Sequence, residues 1–175
     1  AMNSKRWMKL FPLGILVVLV YLSLNADELL TADREERAPV VYTHWDAMAK
    51  VKLYEPAETY QQMNIDNVAH TNTIKFDGNW DRPDSLKFDF MLNVESLIDQ
   101  FDSCRYLVIG AGGGADVVQP LQAGVPEIHA VEVIPHINYL LTEGELAEFS
   151  GYIYQDPRVT VVTEDARSYG RRFTN

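Results

Sequence analysis

Gly110-Ala111-Gly112-Gly113-Gly114-Ala115 follows a short apolar run, Tyr106-Leu107-Val108-Ile109, and precedes Asp116-Val117-Val118, which opens a helical pattern. A run of that kind reads as a strand buried in a parallel sheet. Glycines directly after it let the chain turn tightly and bring free N–H groups to a helix N-terminus, where a ligand can approach the backbone. Pro120 is expected to kink or shorten the helix that follows. A second strand, Ile128–Val133, carries Glu132 at its end, 22 residues after Gly110. An acid at that distance can accept both hydroxyls of a ribose. Pro135 then opens a helix containing Ile137, Leu140 and Leu141. A third strand, Val159–Thr163, ends at Glu164-Asp165-Ala166, which puts Asp165 on the edge where open α/β sheets bind ligands. Tyr106–Ile109, Ile128–Val133 and Val159–Thr163 are therefore expected to lie adjacent and parallel. A nicotinamide dinucleotide fold would share the first two of these elements.

Upstream the patterning changes. Val40–Trp45 and Lys50–Tyr54 are rich in β-branched and aromatic residues, and the second alternates polar with apolar, which suits a half-buried strand. Asp46–Ala49 between them has hairpin length. A second pair is expected at 60–65 and 68–76 around Asp66-Asn67, with turn residues 77–84 closing the small sheet. From Leu86 to Phe101 apolar residues recur at helical spacing, the mark of a core-facing helix.

Leu10–Leu24 holds no charge, and from Trp7 to Ala26 the run reaches twenty residues, which as a helix span about 30 Å, the thickness of a bilayer core. Trp7, Tyr21 and Lys9 suit its interfaces. A transmembrane anchor is the leading reading; a signal peptide ending at Leu24-Asn25-Ala26 and a buried core helix are the rivals. Ala1 precedes Met2, so the chain either carries an added residue or is a piece of a longer polypeptide. The net charge is -10; residues 1–26 hold Lys5, Arg6 and Lys9 and no acid, so this +3 leaves -13 for the remainder. An acidic body argues against non-specific nucleic-acid binding, which needs Lys and Arg on phosphates. One cysteine, Cys104, excludes an internal disulfide framework and any multi-cysteine metal site. His44, His70, His129 and His136 have no metal-ligand spacing, and Tyr139, Phe149, Tyr152 and Tyr154 read as packing.

VIGAGGGADVV, AVEVIP and YQDPRVTVVTEDARSY together resemble the spermidine synthase (polyamine aminopropyltransferase) family of class I methyltransferase-like folds, most closely its membrane-attached bacterial branch. THWDAMAKVKLYE and NIDNVAHTNTIKFDG resemble that family's N-terminal β-hairpin region. The resemblance spans roughly residues 40–175, and Asp156-Pro157-Arg158-Val159 followed by Glu164-Asp165-Ala166-Arg167 is its most specific part. It implies an α/β, Rossmann-like class I methyltransferase fold, first half only, preceded by a small antiparallel β-region and an N-terminal transmembrane helix. The expected divisions are 1–26, the helix with its basic flank; 27–38, a charged linker; 39–84, the β-hairpin region; and 85–175, the adenosyl-donor-binding domain cut short.

Decarboxylated S-adenosylmethionine or S-adenosylmethionine is the implied co-substrate, with no metal. By position, Gly110, Gly112 and Gly114 would line its methionine-derived part, Glu132 would hold the ribose, and Asp165 with the Ala166 backbone would contact adenine. His70 stands where the family has a glutamine facing the substrate. The family's glycine loop usually carries an Asp at position 113 and a second acid at position 134, here Gly113 and Ile134, which touches amine recognition more than donor binding. The catalytic Asp is expected beyond Asn175, so no residue here is assigned as the base. The implied partners are a small amine acceptor and a membrane, with a homo-oligomer compatible. Positive-inside counting taken alone places the C-terminal body outside the cytoplasm, whereas the adenosyl site calls for a cytoplasmic metabolite and a body on the cytoplasmic side. Two other functions compete: an S-adenosylmethionine-dependent methyltransferase, and a non-catalytic membrane-bound scaffold that keeps the nucleoside cleft.

Overall fold

In a computed structural model of the chain, residues 4–26, 36, 38–80 and 104–173 are described. The helix expected over 86–101 lies outside them, as does most of the 27–38 linker. The chain divides into two compact units, residues 1–37 and 38–175. The first contains α1, Ser4–Leu24, with Pro12 in its early turns. Its side chains are described from Phe11 onward, and the apolar ones from there to Leu24 are exposed. Among the described residues no helix is long and apolar enough to cross a membrane.

The second unit joins two sheets. The small one is an antiparallel meander of β1 (Val40–Trp45), β2 (Lys50–Tyr54), β3 (Tyr60–Ile65) and β4 (Ala69–Ile74), in that spatial order. Its turns follow from local chemistry. Asp46 Oδ1 accepts the N–H groups of Met48 (2.6 Å) and Ala49 (2.9 Å), closing the first hairpin. Asp66 and Asn67 take φ of 53° and 58°, and Val68 N–H donates to Ile65 C=O at 3.0 Å. Positive φ at both central residues is the two-residue hairpin turn that matches strand twist, and Asp and Asn tolerate it best.

β2 departs from the half-buried strand its alternation predicts: all five residues are buried, Lys50 and Lys52 included. It pairs with β1 on one side and β3 on the other, so the sheet shields it along both edges. The Lys50 ammonium lies 4.5 Å from the centre of the Trp45 ring, a cation–π contact across a register pair.

The second sheet has the expected strands, β5 (Arg105–Ile109), β6 (Glu127–Glu132) and β7 (Val159–Thr163), all parallel and in that order. Among the described residues β5 pairs with β6, and its Leu107 is 37% and Ile109 67% exposed. α2 (Ala115–Gln122) ends two residues past Pro120, α3 spans Pro135–Thr142, α4 Glu145–Phe149 and α5 Ala166–Gly170. A single core runs through both sheets, from Val51, Leu53 and Met63 to Ile128, Ile137 and Leu140.

The Asp156-Pro157-Arg158-Val159 segment is a structural clamp. Asp156 accepts three hydrogen bonds from Arg158 (2.8–2.9 Å), and Arg158 Nη1 donates to Leu121 C=O at the end of α2 (2.9 Å). The charge-assisted bonds from the guanidinium lower the Asp156 pKa, against opposing burial.

Candidate functional site

The turn between β5 and α2 is tied inward at every residue. Gly110 and Ala111 N–H both donate to Val131 C=O (2.9 and 3.0 Å), and Gly114 N–H donates to Ala111 C=O (2.9 Å). Gly112 N–H donates to Glu132 Oε2 at 3.1 Å, and Gly113 N–H to Thr71 Oγ1 of β4 at 3.0 Å. Gly110, Gly112 and Gly114 all have positive φ, where glycine costs least. Gly110 is exposed, whereas Gly112, Gly113 and Gly114 are buried.

What buries them was not visible in the motif. β4 lies directly on the turn: a Cβ at position 113 would sit 2.5 Å from the Asn72 carbonyl oxygen and 2.9 Å from Thr73 N. One at position 114 would sit 2.8 Å from the Tyr154 ring. Tyr154 is buried, its hydroxyl 3.4 Å from the Gly112 carbonyl it donates to. Burial, then the nearby carboxylates of Glu132 and Asp116, push its phenol pKa upward, so it remains a donor. Neither Thr71 nor Tyr154 carried a sequence signal, since both meet the turn across 42 residues of chain.

Glu132, at the C-terminal end of β6, is buried, and each carboxylate oxygen takes one backbone N–H: Oε2 from Gly112, and Oε1 from Ile134 at 2.9 Å. Each oxygen keeps acceptor capacity beyond that bond. The structure thus brings Gly112 and Glu132, 20 residues apart in the chain, into contact. Asp165 ends the β7 segment in a capping role. Its Oδ1 accepts Ser168 N–H (3.0 Å) and Oγ–H (3.1 Å) at the start of α5, and these bonds lower its pKa. Asp165 is exposed and Ala166 half-buried, both on the same sheet edge as Glu132. His70 is exposed on β4, paired in register with Asn64.

A second cluster joins β1 to the first turn of α3. The His44 and His136 rings stack with centroids 3.4 Å apart and planes 12° from parallel, and the Tyr42 hydroxyl and His136 Nε2 are hydrogen-bonded at 2.7 Å. Burial, then His44, lowers the His136 pKa below its ordinary 6.5, while Asp46 and Glu145 oppose the shift. The folded chain therefore binds fewer protons here than the unfolded one as pH falls through that value. Stability is full above about pH 7 and declines towards pH 5. Urea unfolding at the two pH values should show this loss, and His136→Phe should lessen it; an undiminished loss in that variant would exclude His136 as its source. Among the described residues no three His, Cys, Asp or Glu side chains group as metal ligands.

No family model and no curated protein matches the chain. Solved structures do. The chain is similar to a spermidine synthase crystallised with the transition-state analogue AdoDATO, at 16% identity and a TM-score of 0.53. It is also similar to the spermidine synthase of Thermotoga maritima, at 17% identity and a TM-score of 0.54. Each match covers 77% of this chain and 43% of the other, so the chain spans less than half the length of these synthases. At such identity the likeness shows a shared Rossmann-like α/β fold.

Proposed function

We propose that the chain carries the donor-binding part of a spermidine synthase-like transferase, which takes decarboxylated S-adenosylmethionine and passes its aminopropyl group to a small amine. The contact between Gly112 and the Glu132 carboxylate carries this reading. An acid with spare acceptor capacity at the crevice of a parallel sheet suits a pair of ribose hydroxyls, which supports the reading. The glycine turn also disfavours the dinucleotide alternative. A diphosphate is gripped by free backbone N–H groups, and those from Gly110 to Gly114 all have acceptors inside the protein.

The chemistry is a displacement at carbon. The acceptor nitrogen forms a C–N bond with the carbon beside the sulfonium as the C–S bond breaks. The electron pair leaves with a neutral thioether, and the nitrogen gives up a proton. Alignment supplies much of the rate in such a step, and a carboxylate near the amine aids its deprotonation.

One observation favours a second reading, methyl transfer from S-adenosylmethionine. Position 113 holds no acid for the terminal ammonium of the decarboxylated donor, and β4 leaves no room for one. Calorimetry on the full-length protein separates the readings. Micromolar binding of the decarboxylated donor with much weaker binding of S-adenosylmethionine is the expected result; the reverse preference would assign methyl transfer, and binding of neither would leave a scaffold. Membrane attachment through α1 is part of the proposal, supported by the exposed apolar side chains from Phe11 to Leu24. The same protein should stay with the membrane fraction through an alkaline wash, and release there would refute the anchor.

A further inference from the structure

Asn138 sits on α3, one turn after Ile134, on the stripe formed with Ile137 and Leu141. It is 5% exposed, a polar side chain within an otherwise apolar face. Its Nδ2 lies 2.8 Å from Thr163 Oγ1 and 3.5 Å from the carbonyl oxygens of Glu132 and Val162. Two of these three acceptors are carbonyls, which can only accept, so the amide NH2 must face the strand ends. Among the described residues its Oδ1 is buried without a partner. An unpaired buried acceptor is destabilising, and leucine, with the same branching of heavy atoms, would avoid it. Stability alone is therefore a poor reason for an asparagine here.

Its location suggests a better one. Glu132 and Thr163 are the last register pair of the β6–β7 ladder. Beyond that pair the two strands diverge, one into Ile134 and α3, the other into Asp165 and α5. Asn138 is bonded across the point of divergence, and α3 holds Glu132 twice: through Ile134 N–H on its carboxylate and Asn138 Nδ2 beside its carbonyl. We infer that Asn138 is a positioning residue for the ligand edge, a clasp on the last β6–β7 pair that fixes the Glu132 carboxylate relative to the Asp165 turn. Rotation of either strand end would change the gap between these two acids, which a rigid nucleoside must span. The clasp follows from the geometry alone; its effect on donor affinity rests on the function proposed above.

The test combines hydrogen exchange with binding on the full-length protein. The informative amides are Ile134, held by Glu132, and Ser168, held by Asp165. Asn138→Leu should leave the melting temperature unchanged or raised, speed exchange at both amides at least tenfold, and weaken donor binding at least tenfold. Thr163→Val removes the other half of the bond from an exposed position and should act alike. Thr163→Ser, which keeps the hydroxyl, should restore the wild-type pattern, and the double variant should be no worse than either single one. Should Asn138→Leu fold poorly, the Thr163 pair decides the matter. Wild-type exchange rates in Thr163→Val would overturn the clasp. Faster exchange with undiminished affinity, in a protein that binds donor, would overturn its role at the site. If the wild-type protein binds neither sulfonium donor yet exchange responds as stated, the clasp holds and the donor assignment falls.

Discussion

Gly113→Ala should lower the melting temperature by roughly 10 °C, the equivalent of about 3 kcal/mol in a unit of this size. A new Cβ would meet the backbone of Asn72 and Thr73 at 2.5–2.9 Å, and backbone cannot rotate away as a flexible side chain does. Either β4 lifts, breaking the bond from Gly113 N–H to Thr71 Oγ1, or the glycine turn retreats from Glu132. Gly110→Ala is the matched control: its Cβ meets nothing within 4 Å, leaving only the strain of a φ of +67°, about 1 kcal/mol. Thermal unfolding of the two variants side by side decides the point. Equal losses would mean that β4 does not rest on the turn. Gly113→Asp should be at least as damaging, so restoring the acid that the synthase resemblance expects at this position would cost the seat of the small sheet.

Replacing Glu132 should have the largest effect on binding. Glu132→Ala removes the acceptor of two buried backbone N–H groups as well as the proposed ribose contact. Losing two hydrogen bonds to a charged acceptor costs about 3 kcal/mol or more of stability, and losing a charged acceptor for two ribose hydroxyls costs a similar amount in binding, roughly a hundredfold in donor affinity. Glu132→Gln is the more discriminating change. Its amide offers one acceptor oxygen and one NH2 group, so one of the two N–H donors at 3.1 and 2.9 Å must face another donor. Both variants should lose stability and affinity together in urea unfolding and equilibrium titration. A folded Glu132→Gln protein with wild-type affinity for both sulfonium donors would remove Glu132 from the ribose site.

Local pattern was a good guide wherever a segment's structure depends on its own residues. Asp66 and Asn67 sit in the left-handed turn their residue types favour, and the hairpin strands beside them start and end within a few residues of where alternation places them. The parallel order of β5, β6 and β7 follows from three short apolar runs separated by helical spacing. Pattern failed where exposure depends on neighbours. β2 alternates like a surface strand yet all five of its residues are buried, because burial depends on what packs over both faces of the sheet. Asp156-Pro157-Arg158-Val159, the first half of the most specific part of the resemblance, forms an internal clamp on α2.

The sequence by itself determined the strand, glycine turn and helix, and the 20-residue interval that brings Glu132 to Gly112. Backbone freedom at glycine and the length of a βαβ unit dictate both. Only the tertiary structure decided what covers that turn and what braces it. Thr71 and Tyr154 reach the turn from 42 residues away on either side, and Asn138 reaches across two diverging strands. Such contacts leave no periodic trace, since they arise from how the two sheets pack and not from the run of residues within either one.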